Sequence, residues 1–86
     1  MNIYFSEDAL PDYIWFANHR KTIAERIVRL IRSIKINPVS GIGKPKPLKH
    51  KLSGLWSRRI DNQNRLIYRI IDQNTVEIVG CKGHYE

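Results

Sequence analysis

The sequence has little cysteine and no long apolar run, and both absences exclude whole classes of protein. Cys81 is the only cysteine among 86 residues, so an intramolecular disulfide is excluded, and with three scattered histidines it forms no zinc site of the usual spacing. The apolar runs, such as residues 14–17, are only a few residues long, which excludes a transmembrane helix and a secretory leader. We therefore expect one cytoplasmic domain, residues 1–86, without metal or membrane contact.

Acidic residues are nearly absent from the middle of the chain. Residues 44–69 contain eight Lys and Arg side chains but a single acid, Asp61, and this excess equals the formal net charge of the whole sequence, +7. The remaining sixty residues carry seven bases and seven acids. A charge excess confined to one stretch indicates a surface for a polyanion such as RNA. The simpler alternative is a basic surface that only keeps the protein soluble.

The N-terminal half predicts a short strand followed by two helices. Residues 2–5 favour a strand, and the first helix, with Asp8 as N-cap and Pro11 in its first turn, ends near residue 18 or 19. The second helix has apolar residues at i, i+4, i+7, i+8 and i+11 from Ile23 and stops before Pro38. Residues 37–47 contain three prolines and two glycines and predict a stiff, irregular loop.

The C-terminal half predicts a meander of short strands that pair antiparallel. The four predicted strands are residues 48–52, 55–61, 65–71 and 76–81.

Alternation along these strands separates an apolar face from a basic one. Leu66, Tyr68 and Ile70 should face the helices. Arg58 falls on the apolar side of its strand and is expected to be structural or to contact a partner. The basic side chains expected on the opposite, open face are Arg59, Arg65 and Arg69, with Lys46 and Lys49 brought in from the loop.

Several short motifs spread over nearly the whole chain are recognisable. They are Gly43-Lys44-Pro45, Pro47-Leu48-Lys49-His50, Leu52-Ser53-Gly54, Trp56-Ser57-Arg58-Arg59-Ile60, Arg65-Leu66-Ile67-Tyr68 and His84-Tyr85. This set resembles the YoeB/Txe family of toxins, which belongs to the RelE/ParE group of type II toxin–antitoxin systems. The resemblance implies an α+β fold in which two N-terminal helices pack on a twisted antiparallel sheet.

The resemblance also implies an activity, the cleavage of mRNA in the ribosomal A site without a metal or cofactor. The RNA's 2′-hydroxyl attacks the adjacent phosphorus and leaves a 2′,3′-cyclic phosphate and a 5′-hydroxyl. The protein must then supply a base, cations for the charged phosphorane and an acid for the leaving oxygen. The implied partners are a cognate antitoxin with an acidic and apolar disordered tail, the 70S ribosome with its mRNA, and a second copy in a homodimer.

Individual roles follow from the same resemblance. Lys49 and Arg65 hold and neutralise the phosphate, His84 is the general acid, and Tyr85 positions the substrate or stacks on it. The other basic residues expected to bind RNA are Lys44, His50, Arg59 and Arg69.

One position departs from the family pattern. The family has a glutamate between the two prolines as general base, whereas this sequence has Lys46, and an ordinary lysine is already protonated at neutral pH. Three alternatives are open. Crowding by neighbouring cations disfavours the protonated form of Lys46 and makes it a base or a further phosphate clamp, His50 or His84 is the base, or catalysis is attenuated by about 100- to 10,000-fold.

Two other functions compete with mRNA cleavage. The first is a basic module that binds ribosomal RNA and blocks translation without cutting, which Lys46 favours. The second is a ParE-like inhibitor of DNA gyrase, against which the joint presence of Lys49, Arg65, His84 and Tyr85 argues.

Overall fold

The computed structural model describes residues 1–83, in which two helices pack on one five-stranded sheet. The elements are β1 Asn2–Phe5, α1 Ala9–His19, α2 Lys21–Ile36, β2 Lys46–Pro47, β3 Leu55–Arg59, β4 Arg65–Asp72 and β5 Thr75–Gly80, with a 3₁₀ turn at His50–Leu52. The strand order is β1-β5-β4-β3-β2. The predicted α+β class, with two N-terminal helices on a sheet, is confirmed. Neither helix in this part of the chain is both long and apolar enough to span a membrane.

The sheet is mixed rather than wholly antiparallel. β3, β4 and β5 form the predicted antiparallel meander, but β1 pairs parallel with β5, so that Ile3 lies opposite Val76. A parallel pair needs a long connection between its strands, and here both helices and three strands separate β1 from β5. The alternation within β1 gives no information about this direction, so the prediction of an all-antiparallel sheet is corrected at its first strand.

The prediction that residues 48–52 form the first strand of the meander is wrong. The edge strand is β2, in which Lys46 lies opposite Ser57, and the 3₁₀ turn follows it. His50 has a φ of 59°, a left-handed conformation that an extended strand does not contain. The edge strand therefore lies two residues earlier than predicted, and Lys46 is itself part of the sheet.

Helix α2 supplies the centre of the core. Ile27, Leu30 and Ile34 are fully buried and belong to one apolar cluster with residues of β4 and β5, because their spacing places them along one face of the helix. The sheet residues in this cluster include Leu66, Tyr68, Val76 and Ile78, with Ile70 packed against it. The predicted inward face of β4 is confirmed, and neither helix of residues 1–83 packs on the other face of the sheet.

Cys81 is a buried structural residue. Its thiol is fully buried and donates to the carbonyl of Ala9 at 3.7 Å. Burial, aided by the charge of Asp12, raises the pKa of Cys81 to about 11. The thiol is therefore protonated at neutral pH and has no thiolate character.

Candidate nucleic-acid interface

The open face of the sheet brings three of the expected basic residues together. Lys46 lies opposite Ser57 on β3, and Arg59 lies opposite Arg65 on β4. Directly opposed residues of antiparallel strands point to the same face, with Cβ atoms about 5 Å apart, and diagonal neighbours are about 7–8 Å apart. Lys46, Arg59 and Arg65 thus occupy adjacent rows of one surface, with Lys46 and Arg59 exposed and Arg65 half-buried.

Lys44 joins these residues through its position in the loop. The carbonyl of the preceding residue, Gly43, accepts the backbone N–H of Arg59 at 2.7 Å, and Lys44 itself is exposed with a left-handed φ of 52°. A non-glycine residue is strained in this conformation. We define the basic cluster as Lys44, Lys46, Arg59 and Arg65.

The remaining predicted basic residues lie near Leu55, at the other end of the β3–β4 pair. Lys49 and His50 are exposed and follow Leu48, whose N–H donates to the carbonyl of Leu55 at 2.9 Å. Arg69 lies opposite Leu55, four residues along β4 from Arg65, which is about 13 Å in a strand. The structure therefore does not bring Lys49, His50 and Arg69 into the basic cluster.

Arg69 also has an acidic partner. Its Nε lies 3.9 Å from Oε1 of Glu77, and both side chains are partly exposed. An exposed ion pair of this length stabilises little and is readily exchanged for another anion. Arg69 remains available to a polyanion that runs along the face.

Arg65 is the best-ordered cation of the basic cluster. Its Nη1 donates to the carbonyls of Asp61 at 2.6 Å and Asn64 at 3.1 Å. Within residues 1–83 its Nε and Nη2 donate to no other group. A guanidinium fixed at one nitrogen, with the others available, can bind two oxygens of a phosphate in a defined orientation.

The loop that carries Lys44 and Lys46 is fixed by Arg58, the fully buried neighbour of Arg59. The Nη1 of Arg58 donates to Ser33 Oγ at 2.8 Å and the Ile42 carbonyl at 3.1 Å, and its Nη2 donates to the carbonyls of Asn37 and Ser40, both at 2.8 Å. Its Nε donates to the Tyr68 hydroxyl at 3.1 Å. All five N–H groups of the guanidinium are thus used.

No carboxylate of residues 1–83 neutralises Arg58. Its acceptors include Ser33 and Asn37, which lie at the C-terminal end of α2, where the helix dipole is negative and favours a cation. The structural alternative predicted for Arg58 is therefore the one observed. It anchors residues 37–42 to the sheet and thereby fixes the backbone that leads into the basic cluster.

Tyr68 completes this anchor. Its hydroxyl donates to the carbonyl of Pro38 at 2.6 Å while it accepts from Arg58. Burial raises the pKa of the Tyr68 hydroxyl, although the nearby Arg58 charge opposes the shift. The phenol is therefore neutral at physiological pH and keeps the proton that it donates to the loop.

The loop depends on a glycine at position 43. Gly43 has a φ of 83°, and a Cβ there would lie 2.6 Å from Leu30 Cδ2 and 3.1 Å from Arg58 Cβ. Gly43→Ala is expected to lower the free energy of unfolding by about 2–3 kcal/mol through strain and overpacking, measured by urea denaturation. Gly54→Ala is the matched control, because Gly54 has a φ of 96° but no atom within 4 Å of such a Cβ; equal losses in the two variants would contradict the steric part of this prediction.

The predicted residues His84 and Tyr85 lie outside the described part of the chain. Residue 83 itself is bonded beside Arg65, because the Gly83 carbonyl accepts the Arg65 N–H at 3.1 Å and the Gly83 N–H donates to Asn64 Oδ1 at 2.8 Å. The chain thus continues to His84 from a point next to the basic cluster.

Asp61 and Asn64 are site residues that the sequence reasoning missed. The sequence Asp61-Asn-Gln-Asn64 is a typical turn signal, and it predicted a break between strands but not a contact with residue 83. Desolvation acts to raise the pKa of Asp61, but the N–H groups of Gln63 and Asn64 that donate to its carboxylate hold this pKa below its ordinary value. Asp61 is therefore ionised at neutral pH and committed to the turn.

The arrangement suits binding and charge neutralisation of an anion. The basic cluster contains no carboxylate, and residues 1–83 hold no group of three or more His, Cys, Asp or Glu side chains that could bind a metal ion. Four cations on one face, one of them with an ordered guanidinium, can bind a phosphate and stabilise additional negative charge on it.

Comparisons with known proteins agree with this architecture. The family described as "YoeB-like toxin of bacterial type II toxin-antitoxin system" matches residues 5–85. Toxin YoeB from Synechocystis sp. is 46% identical over 86 residues, which cover 100% of this chain and 99% of that protein. The YoeB/ParE toxin from Agrobacterium tumefaciens has a TM-score of 0.95 at 35% identity and covers 99% of this chain and 100% of its own.

Two solved structures from Staphylococcus aureus are also similar. They are a YoeB dimer, with a TM-score of 0.90, and a YoeB–YefM complex, with a TM-score of 0.89. Each is 43% identical to this chain and covers 99% of it and 98% of its own chain. The family match over nearly the whole length, together with relatives of this identity, shows that the chain belongs to the YoeB family, the toxins of bacterial type II toxin–antitoxin systems.

Proposed function

We propose that this toxin is a ribosome-dependent endoribonuclease that cuts mRNA in the A site and so inhibits translation. The observation that carries the proposal is the ordered guanidinium of Arg65 in the basic cluster. It is held by two backbone carbonyls and lies opposite Arg59. Such preorganised cations stabilise the negative charge that develops on a phosphorane without first having to reorganise.

In the proposed reaction a base takes the proton of the 2′-hydroxyl, its oxygen attacks the adjacent phosphorus, and the 5′-oxygen leaves, giving a 2′,3′-cyclic phosphate and a 5′-hydroxyl. The base is Lys46 or His50, the two candidates that remain when His84 acts as the acid. Arg65 and Arg59 hold the phosphate, and Lys49, which lies outside the basic cluster and two residues beyond the end of β2, adds positive charge. His84 donates the proton to the leaving oxygen, and Tyr85 positions the substrate. Ribosomal RNA and mRNA both present phosphates to the basic face, which supports a role on the ribosome.

A second candidate function is favoured by Lys46. This side chain is exposed at the position where the family resemblance implies a carboxylate base, and the basic cluster has no carboxylate to replace it. The alternative is therefore an attenuated toxin that binds ribosome and antitoxin without efficient cleavage. Loss of one acid–base group typically slows a reaction by about 100- to 10,000-fold.

The partners proposed for this chain are a cognate antitoxin and a second copy of itself. The Staphylococcus aureus relative has been solved as a dimer and in complex with YefM. Here the net charge of +7 favours an acidic partner segment, and Leu10 and Ile14 of α1 leave apolar surface exposed. A toxin that acts on ribosomes works in the cytoplasm, which is the location we propose.

The proposal is tested on programmed 70S ribosomes and, in parallel, on naked mRNA of the same sequence. Primer extension is expected to show new 5′ ends of the downstream fragment within the A-site codon only when ribosomes are present. The downstream fragment should accept a 5′ label from polynucleotide kinase without prior phosphatase treatment, because its end is a hydroxyl. Fragments that carry a 5′-phosphate, or equal cutting of naked mRNA, would contradict the proposed chemistry.

The binding step has its own salt dependence. If about five cations of the open face neutralise phosphates of single-stranded RNA, log affinity should fall against log salt concentration with a slope of about −3.5. Arg59→Ala should reduce the magnitude of this slope by about 0.7, as measured by fluorescence anisotropy. Arg32→Ala, which removes an exposed charge from α2 on the helical side, is the control and should leave the slope unchanged. A wild-type slope near zero would contradict electrostatic binding.

A further inference from the structure

The turn between β3 and β4 forms hydrogen bonds with two parts of the site, Arg65 and Gly83. The carboxylate of Asp61 accepts the backbone N–H groups of Gln63 and Asn64, both at 2.8 Å. It also accepts the Asn64 side-chain amide, whose Nδ2 lies 3.1 Å from Oδ1 and 3.3 Å from Oδ2. Asn64 is 7% exposed, so its orientation is set by these partners rather than by solvent.

The same amide has only one orientation that satisfies both of its neighbours. With its NH₂ group donating to Asp61, its Oδ1 accepts the N–H of Gly83 at 2.8 Å. A flipped amide would place oxygen against the carboxylate and two N–H groups against each other, which leaves buried polar atoms unsatisfied. Asp61 therefore determines that Asn64 presents an acceptor to Gly83.

The backbone of the turn holds Arg65. The carbonyls of Asp61 and Asn64 accept its Nη1, and the Arg65 N–H donates to the Gly83 carbonyl at 3.1 Å. Gly83 is thus bonded through both its N–H and its carbonyl, while the preceding Lys82 places its ammonium 4.2 Å from the ring centroid of Trp15. The C-terminal segment is anchored from the sheet and from α1 immediately before His84.

We infer that Asn64, oriented by Asp61, is a positioning residue that holds the Arg65 guanidinium and the origin of the C-terminal segment in a fixed relation. The inference rests on the proposed function, because it concerns the geometry between the phosphate-binding Arg65 and Gly83, the residue from which the chain continues to His84. Asn64 does not itself contact RNA in this role. A displacement of about 1 Å between reacting groups can slow catalysis about 100-fold, so one such anchor has a measurable effect on turnover.

The test combines a structural and a kinetic measurement on the full chain. In Asn64→Ala, amide hydrogen exchange of Gly83, followed by NMR, is expected to become about 5- to 10-fold faster because the acceptor is gone. The kcat of A-site cleavage should fall about 10- to 100-fold, whereas KM for programmed ribosomes should change less than about threefold, since the cations remain. A merely structural role would not separate kcat from KM in this way.

Two further variants make the result interpretable. Gln63→Ala is the matched control in the same turn, because the exposed Gln63 contributes only its backbone N–H to Asp61; it should change neither exchange nor kcat. Asp61→Ala removes the group that orients Asn64 and should accelerate Gly83 exchange in the same direction, which keeps the inference testable if Asn64→Ala does not fold.

The outcomes separate this inference from the proposed function. Unchanged Gly83 exchange in Asn64→Ala, or in Asp61→Ala should the first not fold, overturns the positioning role whether or not the protein cleaves mRNA. Faster exchange with unchanged kcat overturns its link to turnover. A wild-type protein that does not cleave mRNA refutes the proposed function, while faster Gly83 exchange would still establish the anchor.

Discussion

Arg58→Met is expected to lower the free energy of unfolding by about 3 kcal/mol. Methionine roughly preserves the length of the side chain but removes five donors whose acceptors lie in Ser33, residues 37–42 and Tyr68. Those acceptors either remain unsatisfied or draw water into the core, and each such loss costs about 1 kcal/mol or more. Urea denaturation followed by tryptophan fluorescence measures the change.

The adjacent residue is the matched control for this variant. Arg59→Met removes an exposed arginine from the next position of β3, and surface substitutions usually change stability by less than about 0.5 kcal/mol. The two variants should therefore differ in effect. Arg58→Met lowers the free energy of unfolding, whereas Arg59→Met weakens RNA binding. Equal stability losses in the two variants would contradict the assignment of Arg58 as the anchor of the loop.

Arg65→Ala is expected to reduce the rate of A-site cleavage about 100- to 1,000-fold, the effect typical of losing one preorganised group that stabilises transition-state charge. Arg65→Lys should recover only part of this, because a lysine cannot occupy both carbonyl anchors and bind two phosphate oxygens. The measurement is the single-turnover rate on programmed ribosomes.

Arg69, which lies on the same strand, provides the comparison for Arg65. Arg69→Ala removes the same charge about 13 Å further along the strand, where Arg69 is paired with Glu77. Its effect on the rate should be at least tenfold smaller than that of Arg65→Ala. If the two variants lowered the cleavage rate equally, the open face would act only through its total positive charge. The basic cluster would then have no special role.

The face of the sheet on which the basic residues lie was predictable because strands alternate with a period of two. Once Leu66 and Tyr68 are placed in the core, Arg65 must point to the open face, and pairing then brings Arg59 beside it. This assignment to the open face requires no knowledge of contacts between distant segments of the chain. The sequence pattern and the family resemblance therefore agreed on Arg59 and Arg65 from independent arguments.

The parts that were not predictable depend on contacts between distant segments. The direction of β1 depends on its pairing with β5, in which the opposed residues Ile3 and Val76 are 73 positions apart in the sequence. Arg58 could be assigned to the apolar side, but three of its five acceptors are carbonyls of Asn37, Ser40 and Ile42 in a loop whose path has no periodicity. The other two acceptors belong to Ser33 of α2 and Tyr68 of β4. The contact of Asn64 with Gly83 spans 19 residues and has no signal in the local sequence beyond a turn.

The most direct test of the central claim, that this chain cuts mRNA in the ribosomal A site, compares wild-type protein with Lys46→Glu and His84→Ala. All three are assayed by primer extension on programmed 70S ribosomes. We predict that the wild-type protein cuts and that His84→Ala does not, which makes Lys46 compatible with catalysis. If only Lys46→Glu cuts, the native chain is an attenuated toxin that binds without efficient cleavage, and the central claim is contradicted.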